Sequence, residues 1–526
     1  MDSSVHRGKP GHEGYLNEHV SALPENLREK AGYYTCMAGK WNLGIDLEHC
    51  PHQRGFDRSF ALLAPTANHF AWDHGFSKQE DESRLPKLAR MNVSALHVED
   101  GRYVDNEELP TGFYSSDHYV DKLMEQLDAR PKDKNFFAYL HFSASSPPLQ
   151  APQEDIEQYR GLYDDGPKAL RERRLQALKK RGLIPPDTVP HGMDAPEIGR
   201  WGSLSVEQRA KSAREMETYA AMVSRVDYNV GRLLSWLKYR GLFDNTQIIF
   251  TSSSGPCGAS PDKETQSGLQ VQRYIARHYN NTFLNIGSKT SYTWYGARWA
   301  HSGSPFRLYQ GFPTEGGTRV PMIYKPPASL KFKKQICHSF CTVQDIAPTL
   351  LHQAGIPVYG NDTDYIPEVG RSWLPFFQGM TPFPHPVDYA HGWELDGQGA
   401  LRKGSWKIVC LNRPLGNEEW ELFNLSEDPG EITDLSRRRP DKLEELVKEW
   451  IKYKDAVGVV GLTPQLRRTK GEMTDPSTWV KFETSRSVAL REKQRRERPK
   501  STTRGSHDSD DDDDFQDLDD DAVEMV

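Results

Sequence analysis

Cysteine is scarce in this chain, and long hydrophobic runs are absent. Six cysteines in 526 residues are too few for a disulfide scaffold and are typical of reduced thiols. No apolar run reaches the ~18 residues that span a bilayer, and the first ten residues lack the apolar core of a signal peptide. We therefore expect a cytoplasmic protein that neither crosses nor inserts into a membrane.

The chain also lacks a large excess of positive or negative charge. Lysine and arginine number 67 against 74 aspartates and glutamates, and the net charge of -7 gives no general attraction to nucleic acid or to an anionic membrane. Residues 486–500 are strongly basic and 508–524 strongly acidic. Such blocks bury too little apolar surface to fold, so 462–526 is predicted to be a disordered tail. The alternative to a merely solvated tail is one that binds a protein partner.

Apolar periodicity predicts the main elements of the larger, N-terminal part. Residues 14–31 indicate a polar helix, and 135–142 form an apolar, aromatic run typical of a buried strand. The clearest amphipathic helix spans 216–237, and a second buried strand follows at 246–250. Strand, long helix and strand in this order favour an α/β fold with a parallel sheet.

The pattern of predicted elements changes near residue 388. Before it, 320–324 indicates a strand and 343–355 a helix. After it come short strands with tight turns, which predict a small antiparallel sheet closed by a helix at about 441–453. The predicted division is an α/β domain at 1–387, a small C-terminal α+β subdomain at 388–461 and the tail at 462–526.

The most informative motif is the run from Gly32 to Gly44, Gly-Tyr-Tyr-Thr-Cys-Met-Ala-Gly-Lys-Trp-Asn-Leu-Gly. It resembles the second signature of the sulfatase family, in which histidine follows Gly-Lys-Trp. That position is Asn42 here, and a carboxamide cannot carry a proton as an imidazole does. Asn42 has an alternative role as a cap of the following turn.

Further segments resemble arylsulfatases in the same order along the chain, over about residues 8 to 460. They are Arg54–Asp57, Pro148–Pro152, Pro305–Tyr309, Glu315–Pro321 and Asp428–Glu431. This resemblance implies an alkaline-phosphatase-like fold. Its mostly parallel central sheet would be flanked by helices, and a smaller C-terminal antiparallel sheet plus helix would follow.

The resemblance also implies a chemistry, hydrolysis of sulfate esters with calcium and a formylglycine nucleophile. The formylglycine is made from cysteine or serine in Cys/Ser-x-Pro-x-Arg, a pattern that does not occur in this sequence. Because residue 8 already matches sequence downstream of the family's first strand, we expect the chain to be N-terminally truncated relative to the family. Loss of that strand would leave an exposed sheet edge and a lower stability than an intact relative has.

Several family site positions are substituted within the matched part. The metal-binding Asp-Asn pair falls at Ser253 and Ser254, a histidine falls at Ser146, and a sulfate-binding lysine falls at Gln310. Lys40 alone is retained among the positions mapped. Neutral hydroxyls are poor ligands for a hard dication, so neither calcium nor formylglycine is expected to be intact, and no metal site is predicted. Without these partners Lys40 is interpreted as a solvated or ion-paired loop lysine.

Three functional hypotheses follow. The first is an impaired or inactive sulfatase homologue, with the alternative that it binds a sulfated or other anionic small molecule through Lys40 without catalysis. The second is a hydrolase that works without formylglycine through His69, His74 and Glu315, although their spacing fits no metal or triad pattern. The third is a scaffold that binds a protein partner through the charged tail.

Overall fold

The computed structural model describes residues 13–72, 95–193, 201–258, 266–303, 305–330, 336–357, 369–395 and 397–459. His74 and the predicted tail at 462–526 lie outside these residues. The division at residue 387 therefore stays a prediction, as does the disorder of the tail.

A five-stranded mixed sheet forms the centre of the described α/β part. Its strands are β1 (Tyr34–Lys40), β2 (Arg58–Leu62), β3 (His97–Glu99), β4 (Arg102–Val104) and β5 (Phe136–His141), in the spatial order β4-β3-β2-β1-β5. β1 pairs in parallel with β2 on one side and with β5 on the other, whereas β3 and β4 are antiparallel additions. Six of the seven residues of β1 are buried, as expected for a central strand of a parallel sheet.

Helices cover this sheet and the loops at its edge. The helices of eight or more residues in the described chain are α1 (Leu23–Ala31), α2 (Ser115–Asp128), α4 (Gly166–Lys180), α5 (Val206–Tyr239), α6 (Gln266–His278), α9 (Ile346–Gln353) and α11 (Pro440–Val457). Shorter helices are α3 (Gln153–Glu157), α7 (Gly296–Ala300), α8 (Glu315–Thr318) and α10 (Leu374–Phe377). α2 packs on β1 and β5, and α5 packs on α2. No described helix is long and apolar enough to cross a membrane.

Two predicted helices have different starts from those expected. The helix predicted from residue 14 begins at Leu23, because Pro24 lacks an N–H and is tolerated in the first turn of a helix. The helix predicted from residue 216 begins ten residues earlier, at Val206. There the Gln208 backbone N–H donates to the Ser205 hydroxyl, and the Ser205 backbone N–H donates to the side-chain oxygen of Gln208.

The strand predicted after α5 is present but pairs elsewhere. β6 (Ile248–Thr251) is antiparallel to β7 (Met322–Lys325) in a separate two-stranded sheet. β5 is consequently an edge strand of the five-stranded sheet. Apolar side chains are unusually exposed on these strands: Tyr139 on β5 by 40% and Phe250 on β6 by 45%. That this edge lowers stability stays a prediction.

The predicted C-terminal sheet is confirmed. β8 (Ala390–Leu395), β9 (Gln398–Lys403), β10 (Trp406–Cys410) and β11 (Glu421–Asn424) are all antiparallel, in the order β11-β10-β9-β8. α11 closes one face of this sheet, where Trp450 packs edge-to-face against Trp420. Its end at Val457 is followed by Gly458 in a left-handed conformation, a common way for a helix to stop.

A buried ion cluster connects the C-terminal sheet to α8. The ammonium of Lys407 on β10 is fully buried, 2.8 Å from a carboxylate oxygen of Glu315 and 2.9 Å from one of Glu431. Burial opposes ionisation of both carboxyls. The Lys407 and Arg402 charges outweigh it at Glu315, whose pKa is lowered, while burial prevails at Glu431, whose pKa is raised. One cation therefore holds two buried carboxyl groups together.

Replacing that cation tests its contribution to stability. We expect Lys407→Met to lower the free energy of unfolding by about 3–5 kcal/mol. The variant removes the ammonium that both buried carboxyl groups contact and leaves only the charges of Arg402 and Arg319 near Glu315. Lys403→Met is the matched control on β9, since Lys403 pairs with Glu445 and Glu449 near the surface, a contact worth about 1 kcal/mol or less. Urea unfolding at pH 7 measures both, and equal midpoints for the two variants would contradict this role of Lys407.

Histidines at buried or half-buried positions make the fold sensitive to acid. Burial lowers the pKa of His97 from 6.5 to about 3. It lowers the pKa of four other histidines from 6.5 to about 4, namely His69, His141, His301 and His391. The unfolded chain therefore binds protons at a higher pH than the folded chain does. The free energy of unfolding is therefore highest above pH 6.5 and decreases as the pH falls towards 4. The decrease is up to about 1.4 kcal/mol per histidine for each pH unit. Thermal unfolding at pH 7, 6 and 5 tests this, and a melting temperature that does not fall at pH 5 would argue against it.

Candidate functional site

The candidate site lies where the parallel strands β1 and β5 end. Lys40 is the last residue of β1, His141 is the last residue of β5, and Gly39 is paired with His141 in the register. Gly39 has φ +115°, and a Cβ atom there would lie 2.0 Å from the carbonyl oxygen of His141. Only glycine fits this approach. The Nδ1 of His141 donates to the carbonyl oxygen of Lys40 at 2.8 Å, which joins the two strand ends.

The loop that follows β6 is anchored at two points. Gly255 donates its backbone N–H to the Gly317 carbonyl at 3.0 Å, and a Cβ atom at Gly255 would lie 1.9 Å from the carbonyl oxygen of Gly316. The backbone N–H of Gln310 donates to the Pro256 carbonyl at 3.0 Å. The glycine-rich helix α8 and the Gln310 segment are thereby tied to the loop that carries Ser253 and Ser254.

Lys40 is half-buried and lies near Cys257 of this loop. Burial lowers the pKa of Lys40, and the Cys257 thiol opposes that shift. Within the described ranges no carboxylate is among the groups that act on Lys40. Because Lys40 is partly exposed, its interpretation as a solvated or ion-paired loop lysine stays a prediction. The structure places its ammonium at the strand ends, without a carboxylate partner among the described residues.

Sequence reasoning missed His141 and Cys257. Burial, and then the nearby charge of Lys40, lower the pKa of His141 to about 4, so at pH 7 it is a neutral hydrogen-bonding group. In the sequence it ends an apolar run that reads only as a buried strand. The available signal was that adjacent parallel strands end at the same edge, which would have placed it beside Lys40.

Two substituted positions have structural roles. Asn42 is exposed with φ +55°, in the left-handed region that asparagine tolerates better than most residues, which supports its role in a turn. Ser146 donates its N–H to the Ser143 carbonyl at 3.0 Å, and its own carbonyl lies 3.1 Å from Nε2 of His69. Both contacts of Ser146 use its backbone atoms, so they do not depend on which side chain stands at this position.

The residues considered for a hydrolase without formylglycine occupy separate buried clusters. His69 is 1% exposed, with Nδ1 2.8 Å from the Ser115 hydroxyl and Nε2 on the Ser146 carbonyl. Glu315 is held by Lys407 in the ion cluster described above. His74 lies outside the described residues. The two that are described therefore form no catalytic pair with each other.

The serine loop does not have the donor set of a calcium site. The Ser252 hydroxyl donates to the Ser254 carbonyl at 2.8 Å, and the Ser254 hydroxyl donates to the Gly255 carbonyl at 3.4 Å. Calcium in proteins is held mainly by carboxylate and carbonyl oxygens. Over the described parts of the chain, no group of three or more histidine, cysteine, aspartate or glutamate side chains is placed to hold a metal ion. The described serine loop therefore offers hydroxyl and backbone oxygens to a cation and no carboxylate.

Comparison with known proteins places these features in a family. The Sulfatase family model matches residues 2–356. An uncharacterised sulfatase of Schizosaccharomyces pombe is 42% identical over 462 residues, which cover 87% of this chain and 81% of that protein. The arylsulfatase of Klebsiella aerogenes is 33% identical over 359 residues, covering 68% of this chain and 72% of that enzyme.

Solved structures agree on the fold. The crystal structure of Ps i-CgsB in complex with k-i-k-neocarrahexaose has a TM-score of 0.52 at 23% identity, and the match covers 82% of this chain and 74% of that one. This likeness confirms the predicted alkaline-phosphatase-like fold class, with a mixed rather than mostly parallel pairing in the five-stranded sheet. By its family-model match and its relatives, the chain belongs to the sulfatase family.

Proposed function

We propose that this chain binds a sulfated or other anionic small molecule at the ends of β1 and β5 and does not hydrolyse it. The observation that carries the proposal is Lys40, a half-buried ammonium with no carboxylate partner among the residues described. A buried charge is costly unless it is paired. An oxyanion would supply the missing counter-charge through charge-assisted hydrogen bonds.

Neutral donors in the loop that carries Cys257, a neighbour of Lys40, suit the same ligand. Ser253 and Ser254 lie in the loop after β6, which is tied through Pro256 to Gln310. Hydroxyl and carboxamide groups donate hydrogen bonds to sulfate oxygens but do not ionise near neutral pH. His141 is neutral at pH 7 because its pKa is lowered to about 4 by burial and by Lys40. This set can bind and orient an oxyanion without moving a proton.

Hydrolysis is not proposed because the groups that perform it are substituted. Sulfatases normally use calcium and formylglycine. Ser253 and Ser254 stand where the family has its metal-binding pair. Nucleophile, metal and proton donor act as one unit, so the loss of several leaves little for the others to do. The alternative role of the tail at 462–526 in binding a protein partner stays a prediction.

Calorimetric titration with 4-nitrophenyl sulfate tests the proposed binding. We expect Lys40→Met to weaken binding roughly 10- to 100-fold, the equivalent of one charge-assisted hydrogen bond of about 1.5–3 kcal/mol. Lys132→Met is the matched control, because Lys132 is exposed after α2 and contacts only the Asp128 carbonyl in the described structure. Equal affinities for the wild type and Lys40→Met, or no binding by the wild type, would refute the proposal.

A further inference from the structure

The guanidinium of Arg171, about 130 residues after Lys40 in the sequence, is buried and contacts no carboxylate among the described residues. Arg171 on α4 is only 6% exposed, and its Nη2 donates to the Pro305 carbonyl at 3.1 Å. Its Nε is buried and has no hydrogen-bond partner. Burial alone lowers the pKa of Arg171 to about 10, with no contribution from a carboxylate. A buried arginine is normally paired, since an uncompensated buried charge is strongly destabilising.

A second guanidinium lies one turn further along the same helix. Arg174 follows Arg171 by three residues, a spacing that puts both on one face of α4. Its Nη1 donates to the Ser302 carbonyl at 3.2 Å, so the two arginines hold neighbouring carbonyls of the segment after α7. Burial also lowers the pKa of Arg174, and no carboxylate contributes to that shift. The segment therefore receives two cations from α4 and no described anion.

Two histidines complete the cluster. The backbone N–H of His191 donates to the Pro305 carbonyl at 2.9 Å, the same oxygen that Arg171 contacts. His301 is 3% exposed, and its pKa is lowered to about 4 by burial and then by the charges of Arg171 and His191. Arg171, His191 and His301 are thus mutual neighbours.

The carboxylates near this cluster are already engaged. Asp428 lies close enough to His191 to oppose the lowering of the His191 pKa by burial. The Asp428 carboxylate already accepts hydrogen bonds from the backbone N–H groups of Ile432 and Thr433, at 2.7 and 2.8 Å. Glu421 lies 2.6 Å from Arg307, a further cation beside His191. Neither carboxylate contacts Arg171, whose charge is left unbalanced in the described structure.

We propose that Arg171, with Arg174, His191 and His301, forms a second anion site that takes a small tetrahedral oxyanion such as sulfate or phosphate. The planar guanidinium matches two oxygens of such an ion, and the free Nε of Arg171 is one of the donors that it would use. This site shares no residue with the one proposed at Lys40, and neither arginine is among the groups that shift the pKa of Lys40. Its occupant stabilises the contact between α4 and the segment after α7 by balancing a buried charge.

Thermal unfolding of the full chain in sodium sulfate, sodium phosphate and sodium chloride at matched ionic strength tests this site. We expect sulfate and phosphate, but not chloride, to raise the melting temperature in a saturable way, by roughly 2–5 °C near 100 times Kd. A rise persists in Lys40→Met, and the rise is clearly smaller in Arg171→Met, where only sulfate bound at Lys40 contributes. Arg173→Met is the matched control, since Arg173 is exposed on the same helix and pairs with Asp165.

A conservative variant keeps the test decisive if Arg171→Met fails to fold. Arg171→Lys retains the charge but loses the two-pronged donor geometry, so it should weaken the response to sulfate at least several-fold. An unchanged response in Arg171→Lys would overturn the proposal. So would loss of the response in Lys40→Met, which would assign the anion effect to the first site. Absence of any response in the wild type would mean that Arg171 is balanced by the chain itself.

Discussion

The parallel pairing of β1 with β5 is the contact on which the candidate site depends. β1 is buried between two parallel neighbours, and Gly39 lets the β5 carbonyl at His141 approach closer than any side chain would allow. Lys40 and His141 therefore end at one edge of the sheet. The close approaches of Gly255 to Gly316 and Gly317 hold the serine loop against α8, and Cys257 of that loop lies near Lys40. The candidate site is therefore positioned mainly by close backbone contacts at glycines rather than by contacts between side chains.

Much of the fold could be predicted from periodicity and motifs. The C-terminal strands and the helix after them are where alternation and turns indicated, because each pairs with its neighbour in sequence. β6 was predicted as a strand, but its antiparallel partner β7 is about 70 residues away and could not be read from a local pattern. The start of the first helix was also misplaced, because a polar turn ahead of Pro24 has an apolar spacing like that of a helix.

The site could be predicted only where a motif marked it. Lys40 and its substituted neighbours came from the family resemblance, whereas His141 and Cys257 are brought near Lys40 by folding alone. The burial of Lys40 was not predictable, because a Gly-Lys-Trp loop looks solvated in sequence. Three buried or half-buried cations now stand out. Lys407 contacts two carboxylates, while Lys40 and Arg171 contact none among the residues described, and these two are where we propose that an anion binds.

The central claim is that a sulfatase framework here carries a binding site and no hydrolytic machinery. Its most direct test is hydrolysis of 4-nitrophenyl sulfate by the purified chain with excess calcium, beside the Klebsiella aerogenes arylsulfatase as a positive control. We predict no turnover above the buffer rate for this chain. Turnover that copurifies with the chain and disappears in Lys40→Met would contradict the claim and would require a nucleophile other than formylglycine.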